Sequence, residues 1–293
     1  MKVPQLNLLL AAVIPVFFSI SARSSEYYKE ISRKFKVNNN VTMKLNTSFA
    51  STTITTWDSE EVYIMVKVNA DVRSESRAEE IFNSVKITES QSAPELVINP
   101  GSNNSRKWGN ESYDITVEIK MPKSGGVNGN VDFGNLNISS IAGILDLKLD
   151  YGNLVAADLK HTSNDIEVDF GNTYVAYFGG GKIISEYGNV KVEYVNGESN
   201  IQNDFGNIKV QKISKTCSKL DVSCDYGNVD LTFVDGAGGR LEAFVSYGDI
   251  DINATLRDRD RHEGMFDQRV TGSFGSGDAF VKVNVSFGNI EIN

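Results

Sequence analysis

Six acidic residues recur at one place in a repeated phrase. Asp132, Asp150, Asp169, Glu186, Asp204 and Asp225 each stand two residues before a glycine and directly before a Phe or Tyr, and Ser246 and Ser286 take that place in the last two copies. If the copies stack as strands, neighbouring carboxylates lie ~4.8 Å apart. A row of carboxylates offers the oxygen ligands that Ca²⁺ favours, and two acids at a set separation are what glycoside hydrolysis requires. The six acids are therefore the candidate metal column, and Ca²⁺ is the one cofactor the sequence suggests. The alternative is a solvated edge, with Lys148, Lys191 and Lys209 close enough to compensate it, because like charges at that spacing repel unless neutralised. No calcium-loop spacing is present. Both histidines, His161 and His262, fall outside any zinc signature or nucleophile elbow. The two cysteines, Cys217 and Cys224, are separated by a stretch that reaches ~23 Å if extended, whereas a disulfide needs Cα atoms within ~7 Å. Buried thiols are the expectation for them. No catalytic motif emerges, so the chain reads as a non-enzyme.

The phrase itself is aromatic, Gly, Asn, apolar. It appears as DFGNL, DYGNL, DFGNT, EYGNV, DFGNI, DYGNV, SYGDI and SFGNI between Asp132 and Ile290. Its glycines are Gly134, Gly152, Gly171, Gly188, Gly206, Gly227, Gly248 and Gly288, at spacings of 18, 19, 17, 18, 21, 21 and 40 residues. A period of this length marks units that stack on one another. The following asparagines are Asn135, Asn153, Asn172, Asn189, Asn207, Asn228 and Asn289, with Asp249 in the one exception. Stacked amides hydrogen-bond along such an axis, so these Gly and Asn residues are expected to be structural.

Between the phrases the residues alternate. Leu145, Leu147, Leu149 and Tyr151 interleave with Asp146, Lys148 and Asp150, and Leu220, Val222, Cys224 and Tyr226 do the same. That is the period of a strand with one face buried. Gly-Asn then makes a bend, because both residues tolerate conformations that others avoid. By this parity Phe133, Tyr151, Phe170, Tyr187, Phe205 and Tyr226 should form one interior column. A Gly-Asn pair is also a hairpin signal, but one turn type recurring at one period favours coils over a meander.

Residues 1–22 read as a signal peptide, with Lys2, an apolar run from Leu8 to Ile20 broken by Pro15, and small residues at Ser21-Ala22. Residues 23–122 form an N-terminal β-rich region. In it Ser24–Lys36 is a polar lead-in, and Thr47–Ile54 (TSFASTTI) is a decayed copy of the phrase. Val62–Val68, Val85–Thr88, Glu95–Ile98 and Tyr113–Met121 are strands. Ser76 to Glu79 is a capping box opening a short helix, and Asn99–Asn110 is a hairpin loop. Trp108-Gly-Asn110 imitates the phrase by chance, having no apolar residue after it. Residues 123–293 are the repeat region, loosened at Gly236–Gly239 and interrupted by a charged insertion at 253–271 containing Arg257-Asp-Arg-Asp-Arg-His262. Because the chain ends five residues after Gly288, this insertion is expected to cap the last strand and keep the protein monomeric.

Phe 15 and Tyr 11 against Pro 5 suit a β-rich globular chain rather than a disordered one. The net charge of −9 and the lack of a basic stripe exclude nucleic acid as a natural partner.

A strand ending at Pro122, serial aromatic-Gly-Asn coils and a close through Gly272–Asp278 and Val281–Ile292 together resemble the bacterial β-strand-repeat family labelled "putative adhesin", whose function is unknown. The resemblance spans Lys36 to Asn293. It implies an all-β, solenoid-like protein exported to the periplasm, outer surface or medium, without catalytic residues to carry over. The function expected is a non-catalytic envelope module, adhesive or scaffolding, whose partner is an envelope glycan or protein. The alternative is a carbohydrate-active solenoid enzyme, which would need a deep cleft where a Lys or Arg faces two acids.

Overall fold

The computed structural model describes residues 26–90, 93–101 and 111–293. The expected signal peptide, the Trp108-Gly-Asn110 imitation and most of the Asn99–Asn110 loop lie outside them. The N-terminal elements are β1 (Glu26–Lys36), β2 (Thr42–Ser48), β3 (Ser51–Trp57), β4 (Glu61–Asp71), α1 (Glu75–Asn83), β5 (Val85–Ser90), β6 (Ala93–Ile98) and β7 (Ser112–Pro122). Then come β8 (Gly126–Asp132), β9 (Leu136–Ile141), β10 (Leu145–Asp150), β11 (Leu154–Leu159), β12 (Asn164–Phe170), β13 (Thr173–Phe178), β14 (Gly181–Tyr187), β15 (Val190–Val195), β16 (Ser199–Phe205) and β17 (Ile208–Ile213). The C-terminal elements are β18 (Lys219–Tyr226), β19 (Val229–Phe233), β20 (Gly239–Tyr247), β21 (Ile250–Ile252), β22 (Arg257–Glu263), β23 (Gln268–Phe274), β24 (Ala279–Phe287) and β25 (Ile290–Ile292).

These strands make two sheets. One has twelve strands in the order β1-β4-β7-β3-β9-β11-β13-β15-β17-β19-β25-β21, and the other has thirteen in the order β22-β23-β20-β24-β18-β16-β14-β12-β10-β8-β2-β6-β5. Each coil places one strand in each sheet and turns the corner at Gly-Asn. Successive coils pair in parallel and in register: Leu145 faces Val127, and Leu154 faces Leu136. Parallel pairing settles coils over the meander, since a hairpin would be antiparallel. The alternation read from Leu145 to Leu149 holds, with the three leucines buried and Asp146 and Lys148 exposed. Both sheets contribute to one continuous core running from Val41 to Ile292. The expected all-β solenoid is therefore the fold.

The corner explains the glycines. At Gly188 φ is +147°, and a Cβ there would sit 1.9 Å from the carbonyl oxygen of Gly171 in the coil beneath. No side chain fits that gap, so the glycine column is a steric requirement of stacking as well as a conformational one.

Several local expectations are corrected. The lead-in is the long strand β1, antiparallel to β4, because Tyr27, Ile31 and Phe35 find the core. The helix α1 exists, but its N-cap is Ser74, whose Oγ accepts the Arg77 N–H at 3.3 Å, so the capping box at Ser76 is not used. The strands β6 and β7 belong to different sheets and do not pair with each other. Helix α1 packs on β1, β4 and β5 and so links the two sheet edges at the N-terminal end of the stack. The TSFASTTI copy forms the corner of the first coil, with β2 and β3 on either side.

The C-terminal end departs from chain order. The last coil, β24 with β25, lies between β18 with β19 and β20 with β21. The final strand is thus interior and needs no cap. The charged insertion folds as the hairpin β22–β23, and β23 pairs antiparallel with β20. Gln268 also reaches the short edge strand β21, accepting the Ile250 N–H at 3.3 Å and donating to Asp249 at 3.0 Å. The insertion caps the stack, over a different strand from the one expected.

Replacing Gly188 by Ala should be among the most damaging single changes, costing about 3 kcal/mol or more in urea unfolding. An Ala at the solvent-exposed hairpin position Gly264, at the far end of the molecule, provides the comparison and should cost less.

Candidate functional site

The corners of nine coils build one continuous surface feature. Phe49, Phe133, Tyr151, Phe170, Tyr187, Phe205, Tyr226, Phe287 and Tyr247 stack in that order, with ring centroids 4.6–4.9 Å apart and planes within 1–5° of parallel. Each ring is 38–50% exposed. The expectation of an interior column is corrected: the rings stack, but at the outer corner. Strand parity would place the rings inside only if the strand ran straight through the aromatic residue. Instead the backbone leaves the pleat there, with φ near +55° at Phe49, Phe133 and Tyr151 and the positive φ passed to the following glycine in Phe170, Tyr187 and the later copies. Ring faces are consumed by stacking, which contributes ~0.5–1.5 kcal/mol per pair, and ring edges face solvent. Both ends are closed, by Tyr113 edge-on to Phe49 at 6.4 Å and by Phe266 tilted on Tyr247 at 5.6 Å.

An asparagine ladder runs along one side. The Oδ1 of Asn135 accepts the backbone N–H of Asn153 at 3.0 Å and its side-chain N–H at 3.1 Å. The pattern continues through Asn172, Asn189, Asn207 and Asn228. It then follows stack order through Asn289 to Asp249. Each amide oxygen thus satisfies the N–H groups of the next coil at the corner, where the sheet ladders are interrupted.

The acids run along the other side. Asp132 and Asp150 are in register. Ser48 donates to Asp132 at 3.3 Å, and Ser286 to Asp225 at 3.1 Å. Lys148 lies 3.1 Å from Glu167 and 3.7 Å from Asp169. Asp150 and Asp169 each turn a buried Oδ1 that accepts no hydrogen bond. Burial pushes the Asp150 carboxyl up to about 6, the adjacent Asp169 adds to this by hydrogen bonding and by charge, Lys148 opposes it, and Asp132 adds a little. A proton on Asp150 relieves its repulsion from the neighbouring carboxylates. Among the described residues no three acids, histidines or cysteines converge on one point suited to a metal ion. The acids are a line, not a cage.

A depression of about 360 Å³ lies on the outer face of the thirteen-stranded sheet and is lined by Lys44, Asn128, Asp146, Lys148, Asp165 and Lys182 among others. Two of its lysines are held in ion pairs, Lys148 with Glu167 at 3.1 Å and Lys182 with Asp165 at 3.9 Å. His161 accepts the Ser163 N–H at 3.0 Å in a turn, and His262 lies on the exposed strand β22. Cys217 and Cys224 are free and buried, and burial raises both thiols to about 11, which leaves them unreactive. Strand parity does not register the exposed ladder, although the sequence carries a clue: an aromatic directly before a bending Gly-Asn cannot keep strand parity. Among the described residues no helix is long and apolar enough to cross a membrane.

Comparison with known proteins places these features in a family. The family model described as Toastrack DUF4097 matches residues 28–293. Solved structures similar to this chain include a "putative adhesin" from Bacteroides fragilis, at 13% identity and TM-score 0.46, covering 90% of this chain and 97% of that one. Another is a "putative adhesin" from Parabacteroides merdae, at 12% identity and TM-score 0.38, covering 90% and 96%. A "putative cell adhesion protein" from Clostridium sporogenes aligns at 16% identity and TM-score 0.28, covering 90% and 98%. No curated protein matches the chain.

Two outcomes test this geometry. A half-exposed ring should cost less to remove than a buried leucine: Tyr187→Ala is expected to lose about 2 kcal/mol and Leu149→Ala about 3–4 kcal/mol by urea unfolding. Because Asp150 holds its proton to higher pH in the folded chain than the ordinary carboxyl value of 3.8, its contribution favours folding at low pH and is lost as pH rises through about 6. Asp150→Asn should therefore raise stability at pH 7 by about 1 kcal/mol after solvent screening, and the difference between the two proteins should vanish toward pH 4.

Proposed function

The chain belongs to the Toastrack family, DUF4097, and from that premise we propose that it is an exported, non-catalytic envelope module that adheres to or scaffolds an envelope glycan or protein along its aromatic ladder. The observation that carries this reading is the ladder itself: nine half-exposed ring edges at one period, with the asparagine ladder along one side and the six acids along the other. A repeating, open face of this kind suits an extended ligand that makes the same small contact many times. Exposed apolar surface in an ordered row is also uncommon unless it meets a partner.

The carbohydrate-active alternative gains no support from the acids. Glycoside hydrolysis holds substrate between two carboxyl groups, whereas the acids here run in one line along an exposed corner, with Asp132 and Asp150 in register. Lys148 and Lys182 of the open depression are paired on a face rather than gathered in a cleft.

The test is a glycan and matrix-protein binding array, with and without Ca²⁺, comparing the wild-type chain with a Tyr151→Ala, Tyr187→Ala, Tyr226→Ala variant shown by circular dichroism to be folded. The wild type should bind at least one class, and the variant should lose ~10-fold or more in affinity for it. Undiminished binding by the variant would remove the ladder from the function.

A further inference from the structure

Chain order and stack order part once, and the exception isolates a unit. After the short linker 234–238, everything that follows forms its own double layer: β22-β23-β20-β24 in one sheet and β25-β21 in the other. In strand pairing this unit meets the earlier coils only through its last coil, β24 on β18 and β25 on β19. The earlier coils therefore end in an edge formed by β18 and β19. That edge is completed by a segment whose motif glycine, Gly288, lies 61 residues after Gly227 in the sequence.

The bonds at this seam repeat those between the preceding coils, where Gly188 N–H donates to Phe205 O and Gly206 N–H to Tyr226 O. Gly227 N–H donates to Phe287 O and Val229 N–H to Asn289 O, each at 2.9 Å. Asn289 N–H donates to Asn228 Oδ1 at 2.9 Å. Phe287 stacks on Tyr226 at 4.9 Å, and Phe274 of the hairpin rests on Phe233 at 4.4 Å. None of these contacts depends on the two coils belonging to one chain; only the linker joins them. That linker is tightly held where the loop between β23 and β24 crosses it. A Cβ at Gly238 would lie 2.3 Å from the Ser276 nitrogen and 2.4 Å from that of Gly277. A short hinge packed this closely, next to a generic strand seam, is the arrangement in which an identical element is exchanged between protomers at low cost. An uncovered β18/β19 edge would in any case seek a strand, and a coil carrying the same ring-Gly-Asn corner fits it along its whole length.

We propose that two copies of this chain exchange residues 239–293 at the seam, so that in the dimer each C-terminal unit completes the stack of the other copy. The partner is a second copy, and the interface is the β18/β19 edge.

Register supplies the test. Asp221 faces Lys282 across the seam on the outer side of the sheet, and Ser223 faces Asn284. Asn200 faces Asp221 one coil further from Lys282, too far for a disulfide, which needs Cα atoms within ~7 Å. The native thiols are buried and do not compete. Full-length Asp221→Cys and Lys282→Cys proteins are mixed at high concentration, warmed to just below melting, cooled, oxidised and run on a non-reducing gel. The expected result is a covalent dimer of the two variants, ~10-fold more abundant than from Asn200→Cys mixed with Lys282→Cys. Oxidising the double variant Asp221→Cys, Lys282→Cys as a dilute monomer first should lock the unit in place and abolish dimers on size-exclusion chromatography. Ser223→Cys mixed with Asn284→Cys reads the same seam should either first variant fold poorly. No mixed dimer from either pair, or equal amounts from the Asn200→Cys control, overturns the proposal.

Discussion

The structure rests on one constraint: each coil must lie on the next in parallel register at strand spacing, including at its corner. In the sheets, ordinary backbone hydrogen bonds meet this requirement. At the corner the chain turns from one sheet to the other, and there the carbonyl oxygen of each motif glycine occupies the space that a side chain of the next would need. Glycine is therefore fixed by sterics, asparagine by the need to bond N–H groups where the ladder breaks, and the aromatic by the only direction left to it, outward along the corner. Three columns of identical chemistry follow from one contact repeated.

Repetition also shapes what the surface can do. A catalytic site needs different groups converging on one point, whereas a stack of equivalent coils sets like groups in lines. The acids show the consequence. In a line they repel, and the chain absorbs this through serine donors, through lysine pairing and, at Asp150, through a proton held to unusually high pH. The same linearity turns the ring edges into a continuous strip that no single coil could present.

A stack has two ends, and each is closed differently. At the N-terminal end α1 and the long antiparallel strands β1 and β4 finish the sheets. At the other end the chain passes beyond its own next position, builds β20 and β21 with the charged hairpin over them, and returns to fill the gap with its last coil. The highly charged β22 is consequently a true edge strand, and its row of exposed Arg and Asp side chains discourages further pairing.

The sequence by itself determined the coil. Its period, the buried leucines at 145, 147 and 149, and the Gly-Asn corners all express contacts between residues a fixed distance apart, so the local pattern carries the long-range pairing. Even the degenerate copy at Phe49 could be found, because it preserves the spacing after its glycine is lost to Ala50. Only the tertiary structure decided where the rings point, because strand parity cannot register a positive φ at Tyr151 or Gly188 that throws the side chain to the outside. It also decided that β1 pairs with β4 and that β24 lies inside rather than at the end. In the sequence every coil offers the next the same edge, so nothing in a coil's own residues states which neighbour it will meet. That choice belongs to the connections between coils and to the space they leave.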